Sequence, residues 1–134
     1  MAAGMKGASW HPGCPVPLSS LRLVSLKMVP IDAYGGSDDR SMADDNTSMF
    51  NCRNAYGNSK WSVHAFGRAV DVDTVENPYL PNAHTILPPG GKPYVDRHNV
   101  RSGMIVAGDL VVRAFAAEGF KWGGSWHDYQ HFEI

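Results

Sequence analysis

The 134-residue chain has only two cysteines, almost no net charge and no long apolar run. Two cysteines are too few for the disulfide framework that holds together many small secreted domains. A formal net charge of −1, with no block of Lys or Arg, excludes the basic surface expected of a nucleic-acid-binding domain. No apolar run approaches the roughly 20 residues of a membrane-spanning helix, so we expect no membrane span.

The N-terminal region also lacks the features of a targeting segment. Residues 1–10 contain one Lys and no apolar stretch, so they do not resemble a signal peptide. Residues 1–20 contain several prolines and glycines, and we predict an irregular segment there. Because Cys14 lies in this Pro-rich part, which needs tethering, we predict a disulfide bond between Cys14 and Cys52. Two buried free thiols are the alternative.

Apolar residues make up 43% of the chain, which is enough for one hydrophobic core and too many for a disordered protein. The length fits one compact domain, so we predict a single domain spanning residues 1–134. The 14 glycines and 9 prolines favour long ordered loops over a helical bundle.

Hydrophobic periodicity predicts three strands and one helix. Ala69–Thr74 alternates small or apolar residues with acidic ones, as expected of a strand with one apolar and one polar face. Apolar residues at helical spacing predict a helix over Met104–Gly119, which ends at a glycine. Two further strands are predicted at Leu26–Tyr34, where Pro30 favours an edge or a bulge, and after the Gly-Gly turn within Lys121–Ile134.

Two loops are predicted between these elements. Residues 76–102 hold five of the nine prolines, and a loop of this length in a small domain often walls a substrate cleft. Residues 35–48 are rich in Gly, Ser, Asp and Asn, and their aspartates invite a calcium-binding interpretation: Asp38, Asp39, Asp44 and Asp45. Their spacing does not match the EF-hand pattern, so we interpret them as solvated loop charge.

Two of the six histidines have candidate metal-binding partners. His64 precedes a glycine turn at Gly67, and Asp71 lies on the predicted strand after that turn. The turn can fold the imidazole of His64 over the strand face that carries Asp71, and Asp73 projects from the same face. Imidazole nitrogen and carboxylate oxygen are both zinc ligands, so this arrangement supplies two ligands of a metal site.

The second cluster lies near the C-terminus. His131 can supply a third protein ligand, which leaves one position open for water at a catalytic zinc site. Asp128 can reach the attacking water as general base if the backbone turns before the last strand. Glu133 points the same way as His131 and can bond to it. As candidates for the general base, His127 and Glu133 rank below Asp128. Such spacings are common by chance, so a surface His with structural aspartates remains an open alternative.

Together these residues resemble a known peptidase family. The resemblance is to zinc D-alanyl-D-alanine carboxypeptidases and L-alanyl-D-glutamate endopeptidases, which include vancomycin-resistance carboxypeptidases and phage endolysins. It rests on two motifs in the family's order, Ser62-x-His64-x-x-Gly67-x-Ala69-x-Asp71 and Asp128-x-x-His131-Phe132. The nearest likeness is to the actinobacterial-type branch, through the segments 32–36, 46–53 and 128–132. The resemblance extends over about residues 10–134.

The resemblance implies a fold and a set of site residues. The implied fold is α+β, of the D,D-peptidase and Hedgehog type, with a small antiparallel sheet, flanking helices and long ordered loops. His64, Asp71 and His131 are implied to bind Zn²⁺, with Asp128 as general base. Arg53 is implied to steady the substrate and the developing oxyanion. Three further residues receive supporting roles: Ser62, which orders the His64 loop or bonds the substrate, and Trp61 and Trp126, which line the cleft or pack in the core.

The implied function is hydrolysis of D-amino-acid-containing peptides of the peptidoglycan stem, by a monomer that acts outside the cell or in the cell wall. Two activities stay open, namely a carboxypeptidase that removes a terminal D-Ala and an endopeptidase that cuts within the stem. Two other classes of protein are the alternatives. One is a catalytically inactive, zinc-stabilised wall-binding module, and the other is a calcium-dependent wall-binding domain built on the Asp-rich loop. No nucleic-acid partner is expected.

Overall fold

The computed structural model of the protein describes residues 27–134. The predicted irregular segment 1–20, including Cys14, lies outside the described residues, so the Cys14–Cys52 bridge stays a prediction. Cys52 itself is exposed. Within residues 27–134, no helix has both the length and the apolar character needed to cross a membrane.

A three-stranded antiparallel sheet forms the centre of the fold. Its strands are β1 (Ala69–Asp71), β4 (Lys121–Trp122) and β5 (His131–Glu133), in the order β1-β5-β4. In the β1–β5 pair, Asp71 lies opposite His131. The predicted strands at 69–74 and at the chain end are thus confirmed in part, and the α+β fold with small antiparallel sheets is confirmed.

The two faces of this sheet have opposite characters, because successive side chains of a strand point to opposite sides. One face carries Phe132, which is fully buried and stacks on Phe115 with ring centroids 4.0 Å apart. Phe115 belongs to α2 (Leu110–Ala117), so this helix covers the apolar face. Val72 and Ile105 complete the buried cluster. The other face carries Asp71 and His131.

Helix α2 is shorter than the predicted helix over Met104–Gly119. It begins at Leu110 because Asp109 caps it, with its Oδ1 accepting a hydrogen bond from the backbone N–H of Val112 at 2.9 Å. Met104 and Ile105 are buried, but they lie in the loop before the helix. Their apolar character therefore reports burial rather than helical structure.

The predicted strand at Leu26–Tyr34 is wrong over its described residues. Residues 27–30 have no regular structure, and Ile31–Tyr34 forms a 3₁₀-helix. The backbone of Val29 bonds to the buried side chain of Asn46 and not to a neighbouring strand. The Val29 N–H donates to Asn46 Oδ1 at 2.7 Å, and Asn46 Nδ2 donates to the Val29 carbonyl at 2.9 Å.

Both predicted loops contain regular structure. Residues 35–48 include the helix α1 (Asp38–Ala43), whose N-terminus is capped by the Ser37 hydroxyl. Its first-turn aspartates are favourable there because a helix N-terminus is electropositive. Residues 76–102 include a hairpin of β2 (Tyr79–Asn82) and β3 (Thr85–Leu87), followed by a 3₁₀-helix at Pro89–Tyr94. Pro81 argues against a strand in the sequence. It is tolerated here because both strands of a two-stranded sheet are edge strands.

Asn77 fastens the long segment after the hairpin to the core. Its side chain is fully buried. Its Oδ1 accepts hydrogen bonds from the Ile105 N–H at 2.7 Å and from Arg97 Nη2 at 3.1 Å. Its Nδ2 donates to the carbonyls of Asp73 and Gly103, each at 3.0 Å. One amide thus satisfies backbone groups from two separate parts of the chain and a side chain from a third.

Asp73 does not extend the face that carries Asp71, contrary to the prediction. β1 ends at Asp71, and Asp73 has a φ of 40° and bonds to the Thr47 hydroxyl at 3.4 Å. It interacts with Asp45 and, through Asp45, belongs to a group of carboxyls that includes Glu76. Burial and then the charge of Asp45 raise the pKa of Asp73 to about 6. Burial and then a hydrogen bond with Asp45 raise the pKa of Glu76 to about 7.

Glu76→Gln is expected to change the pH dependence of stability. The folded pKa of Glu76, about 7, lies above its ordinary value of 4.5, so its protonated form is favoured by folding. Its contribution is complete below the ordinary value and is lost as the pH rises through about 7. We therefore expect the variant to be more stable than wild type at about pH 8 in urea denaturation.

The matched control is Glu118→Gln, because Glu118 is exposed just beyond α2. This variant is expected to keep the wild-type pH dependence. If Glu76→Gln also keeps it, the burial of the Glu76 carboxyl is wrong.

Candidate metal centre

A short, tightly turned segment places the imidazole of His64. The Ser62 hydroxyl accepts a hydrogen bond from the His64 N–H at 3.3 Å and so caps the 3₁₀-helix Val63–Phe66. Gly67 ends that helix with a φ of 64°, which favours glycine. The chain then enters β1 directly. His64 is 2% exposed, so its ring is packed against the sheet.

Strand pairing places the other two groups. Asp71 and His131 are directly opposed in the β1–β5 ladder and project from the same face. On its other side, β1 pairs with Ser48, whose N–H and carbonyl exchange hydrogen bonds with Asp71 at 2.9 and 2.8 Å. The strand around Asp71 is therefore held on both edges, by Ser48 on one side and by β5 on the other, which fixes the direction of the Asp71 carboxylate.

His64, Asp71 and His131 converge so closely that they could hold a metal ion. One ligand atom from each lies within 4.8 Å of the others. His64 Nε2 is 3.1 Å from Asp71 Oδ2, and His131 Nδ1 is 3.0 Å from Asp71 Oδ1. The two imidazole nitrogens are 3.3 Å apart. Among residues 27–134, no other group of three or more His, Cys, Asp or Glu side chains converges in this way.

The outward-facing nitrogen of each imidazole has a hydrogen-bond acceptor. His64 Nδ1 lies 2.8 Å from the Met49 carbonyl, which can only accept, so Nδ1 carries the proton. His131 Nε2 lies 3.1 Å from the carboxylate of Glu133. In the neutral form of each ring, the inward nitrogen would therefore direct its lone pair at the site. Metal-ligating histidines show this arrangement, with the second nitrogen donating to a carbonyl or carboxylate.

The electrostatics of the group favour a positive charge at its centre. Burial alone would raise the pKa of Asp71, but the two imidazoles hold it far below its usual range. Burial alone would lower the pKa of His131, but bonding to Asp71 and the charges around it raise the pKa to about 9. The pKa of His64 is raised by Asp71 in the same way, against the effect of burial. A proton or a metal cation satisfies this demand, and the donor set fits a metal.

Asp128 reaches the site through a sharp turn of the backbone. A 3₁₀-helix at Gly123–Trp126 ends at His127, whose φ of 63° reverses the chain just before Asp128. Oδ1 of Asp128 is buried and has no hydrogen-bond partner among the described residues. Burial and then the charge of Asp71 raise the pKa of Asp128 to about 7. His127 itself is exposed, and Glu133 is engaged with His131.

Arg53 and Asp38 form an ion pair beside the three groups. Arg53 Nε is 2.9 Å from Asp38 Oδ2, and Arg53 Nη2 is 3.9 Å from Asp71 Oδ2. Asp38 is therefore a paired, partly buried residue and not the solvated loop charge that the sequence predicts. A Ser-Asp-Asp run is a helix-start signal, and it would have placed Asp38 in the first turn of a helix.

A cleft of about 560 Å³ contains all of these groups. Trp61 and Trp126 line it and are 60% and 45% exposed, so neither is a core residue. The sequence left those two alternatives open. The cleft also has tyrosines on its wall, and its side chains outside the three central groups include Arg53, Tyr56, Ser62, Tyr79, Asp128 and Glu133.

A sequence profile of the D-alanyl-D-alanine carboxypeptidase family matches residues 56–134, which is more than half of the chain. The chain belongs to this peptidase family. The matched segment contains His64, Asp71, Asp128 and His131, whereas Arg53 precedes it. No curated protein and no solved structure gives a significant match to the chain.

Gly123 lies where the backbone packs closely against Asp128 and His131. A Cβ at Gly123 would lie 2.5 Å from the Asp128 carbonyl oxygen and 3.2 Å from His131 Cβ. We expect Gly123→Ala to displace this segment and to weaken the binding of a divalent metal ion roughly tenfold or more, measured by competition with a chelator. Gly90→Ala is the control, because a Cβ there meets nothing within 4 Å. Unchanged metal affinity in Gly123→Ala would contradict the described packing.

Proposed function

We propose that this protein is a zinc peptidase that hydrolyses amide bonds in D-amino-acid-containing peptides of the peptidoglycan stem. The observation that carries the proposal is the convergence of His64, Asp71 and His131 in a cleft that also holds the unpartnered carboxylate of Asp128. Membership of the D-alanyl-D-alanine carboxypeptidase family supports the choice of substrate. The proposed place of action is outside the cell or in its wall, and the proposed active form is a monomer.

The ligand set favours zinc over harder cations. Two imidazoles and one carboxylate suit zinc, whereas calcium and magnesium take mostly oxygen ligands. A bound zinc ion supplies Lewis-acid polarisation of the substrate carbonyl and lowers the pKa of water toward about 7. Three protein ligands leave a coordination position open, as a catalytic site requires. We propose that the Met49 carbonyl and the Glu133 carboxylate, which bond to the outward nitrogens of His64 and His131, hold the two rings in this orientation.

Asp128 is the proposed general base. Its buried Oδ1 has no other partner among the described residues and is free to accept the proton of the attacking water. The same carboxyl can then donate that proton to the leaving amine, so the carboxyl returns to its starting state. A base works best when its pKa lies close to the working pH. Burial, which raises the pKa of Asp128 to about 7, meets that condition.

The remaining cleft residues are proposed to bind and orient the substrate. Arg53 places a cation beside Asp71, where it can stabilise negative charge that develops on the scissile carbonyl oxygen. Ser62 orders the His64 segment through its hydroxyl. Trp61 and Trp126 offer exposed aromatic surface to the peptide. Mass spectrometry of the products of a purified muropeptide separates the two activities, since only a carboxypeptidase releases a single terminal D-Ala.

Removal of the metal is expected to abolish hydrolysis. We expect a chelator to lower kcat/KM by at least about 10³-fold and stoichiometric zinc to restore it. His131→Ala is expected to lose both zinc and activity. The control is His98→Ala, since His98 is exposed and outside the cleft. Full activity in zinc-free, chelator-treated protein would contradict the proposal.

Asp128→Asn is expected to separate catalysis from metal binding. The amide keeps the shape of the carboxylate but cannot take a proton, so kcat should fall by roughly 10²–10⁴-fold. Zinc content should stay at the wild-type level, because Asp128 is not a proposed ligand. Asp32→Asn is the control, since Asp32 is exposed on the 3₁₀-helix before α1. Undiminished turnover in zinc-loaded Asp128→Asn would refute the proposed base.

A further inference from the structure

Asp38 is placed to act on Arg53. It is the first residue of α1, and its Oδ2 lies 2.9 Å from Arg53 Nε. The Nε–H is not aligned for a hydrogen bond, so the contact is an ion pair. The side chains of Asp38 and Arg53 are 19% and 27% exposed, and this partial burial limits the screening of their attraction by water.

A second contact fixes the Asp38 carboxylate itself. Asn51 Nδ2 donates a hydrogen bond to Asp38 Oδ1 at 2.8 Å, and Asn51 is almost fully buried. The backbone N–H of Asn51 in turn donates to the His64 carbonyl at 3.2 Å. Asp38 therefore joins helix α1 to the segment that positions His64, and its two oxygens have separate partners.

The ion pair determines which edge of the guanidinium faces the cleft. Nε lies next to the Asp38 carboxylate, while Nη1 donates to the Asn54 carbonyl at 3.3 Å. Nη2 remains and lies 3.9 Å from Asp71 Oδ2, which is beyond hydrogen-bond range. The donors of Nη2 are thus the part of Arg53 left for a substrate oxygen next to the three potential metal ligands.

A free arginine side chain has several rotatable bonds, and ordering it costs rotamer entropy. A cation that is already ordered stabilises developing charge without that cost at the moment of reaction. We propose that Asp38 is a positioning residue, which holds Arg53 with Nη2 directed at the substrate. The inference rests on the proposed peptidase function and assigns a role to a residue outside the matched family segment.

The first test is a double-mutant cycle in the zinc-loaded full chain. Asp38→Asn is expected to lower kcat about tenfold with little change in KM, because it loosens a group that acts on developing charge. In an Arg53→Ala background the same substitution is expected to have an effect of less than about twofold. Asp38→Glu, which keeps the charge, should recover part of the loss. Equal losses in both backgrounds would overturn the inference.

The second test does not depend on turnover. In the zinc-loaded chain, the Arg53 Nε–H is expected to give a distinct NMR signal, identified by its disappearance in Arg53→Lys. Asp38→Asn should shift this signal and speed its exchange with water. Asp39→Asn, which removes the same charge from the next, exposed residue of α1, should leave it unchanged.

The two tests distinguish the inference from the function on which it rests. An Asp38-dependent signal in a protein that hydrolyses no muropeptide would reject the peptidase proposal and support the placement of Arg53. A signal that Asp38→Asn leaves unchanged, in an active peptidase, would overturn the role of Asp38.

Discussion

The pairing of β1 with β5 is the constraint on which both the core and the site depend. It sets Asp71 opposite His131 on one face and Val70 opposite Phe132 on the other. A slip of one residue would move the side chains of one strand to the wrong face, which would bury charged groups in the core and expose Phe132. The stacking of Phe132 on Phe115 therefore stabilises the same register that brings the potential metal ligands together. Packing on the apolar face of the sheet thus helps to fix the positions of Asp71 and His131 on the polar face.

The polar face is costly to bury, and its arrangement reflects that cost. Asp71 is almost fully buried between two imidazoles, each of which has one nitrogen within about 3 Å of its carboxylate. A buried carboxylate is tolerated only when it is paired and hydrogen-bonded. The Met49 carbonyl and Glu133 fix the rings from outside, so the inward nitrogens cannot turn away from each other. A central cation relieves this arrangement, which is why the geometry supports a metal centre more strongly than a structural hydrogen-bond cluster.

The sequence predicted the parts of this arrangement that are set by neighbouring residues. The turn at Gly67 and the alternation of β1 as far as Asp71 are local, and the first motif contains both. The parts that it missed depend on contacts distant in sequence. Val29 bonds to Asn46 instead of a strand, and Asp38 pairs with Arg53, which lies in a different segment of the chain. Met104 and Ile105 are buried in a loop and not in the predicted helix, and the Ile105 N–H bonds to Asn77.

The central claim is that His64, Asp71 and His131 bind one zinc ion. Anomalous diffraction from crystals of the zinc-loaded protein, recorded on both sides of the zinc absorption edge, tests it most directly. We expect a single strong peak between the two imidazoles and the Asp71 carboxylate, at distances of about 2.0–2.2 Å from their ligand atoms. The absence of a peak at that position, or a peak among the carboxyls of Asp45, Asp73 and Glu76, would contradict zinc binding by these three residues.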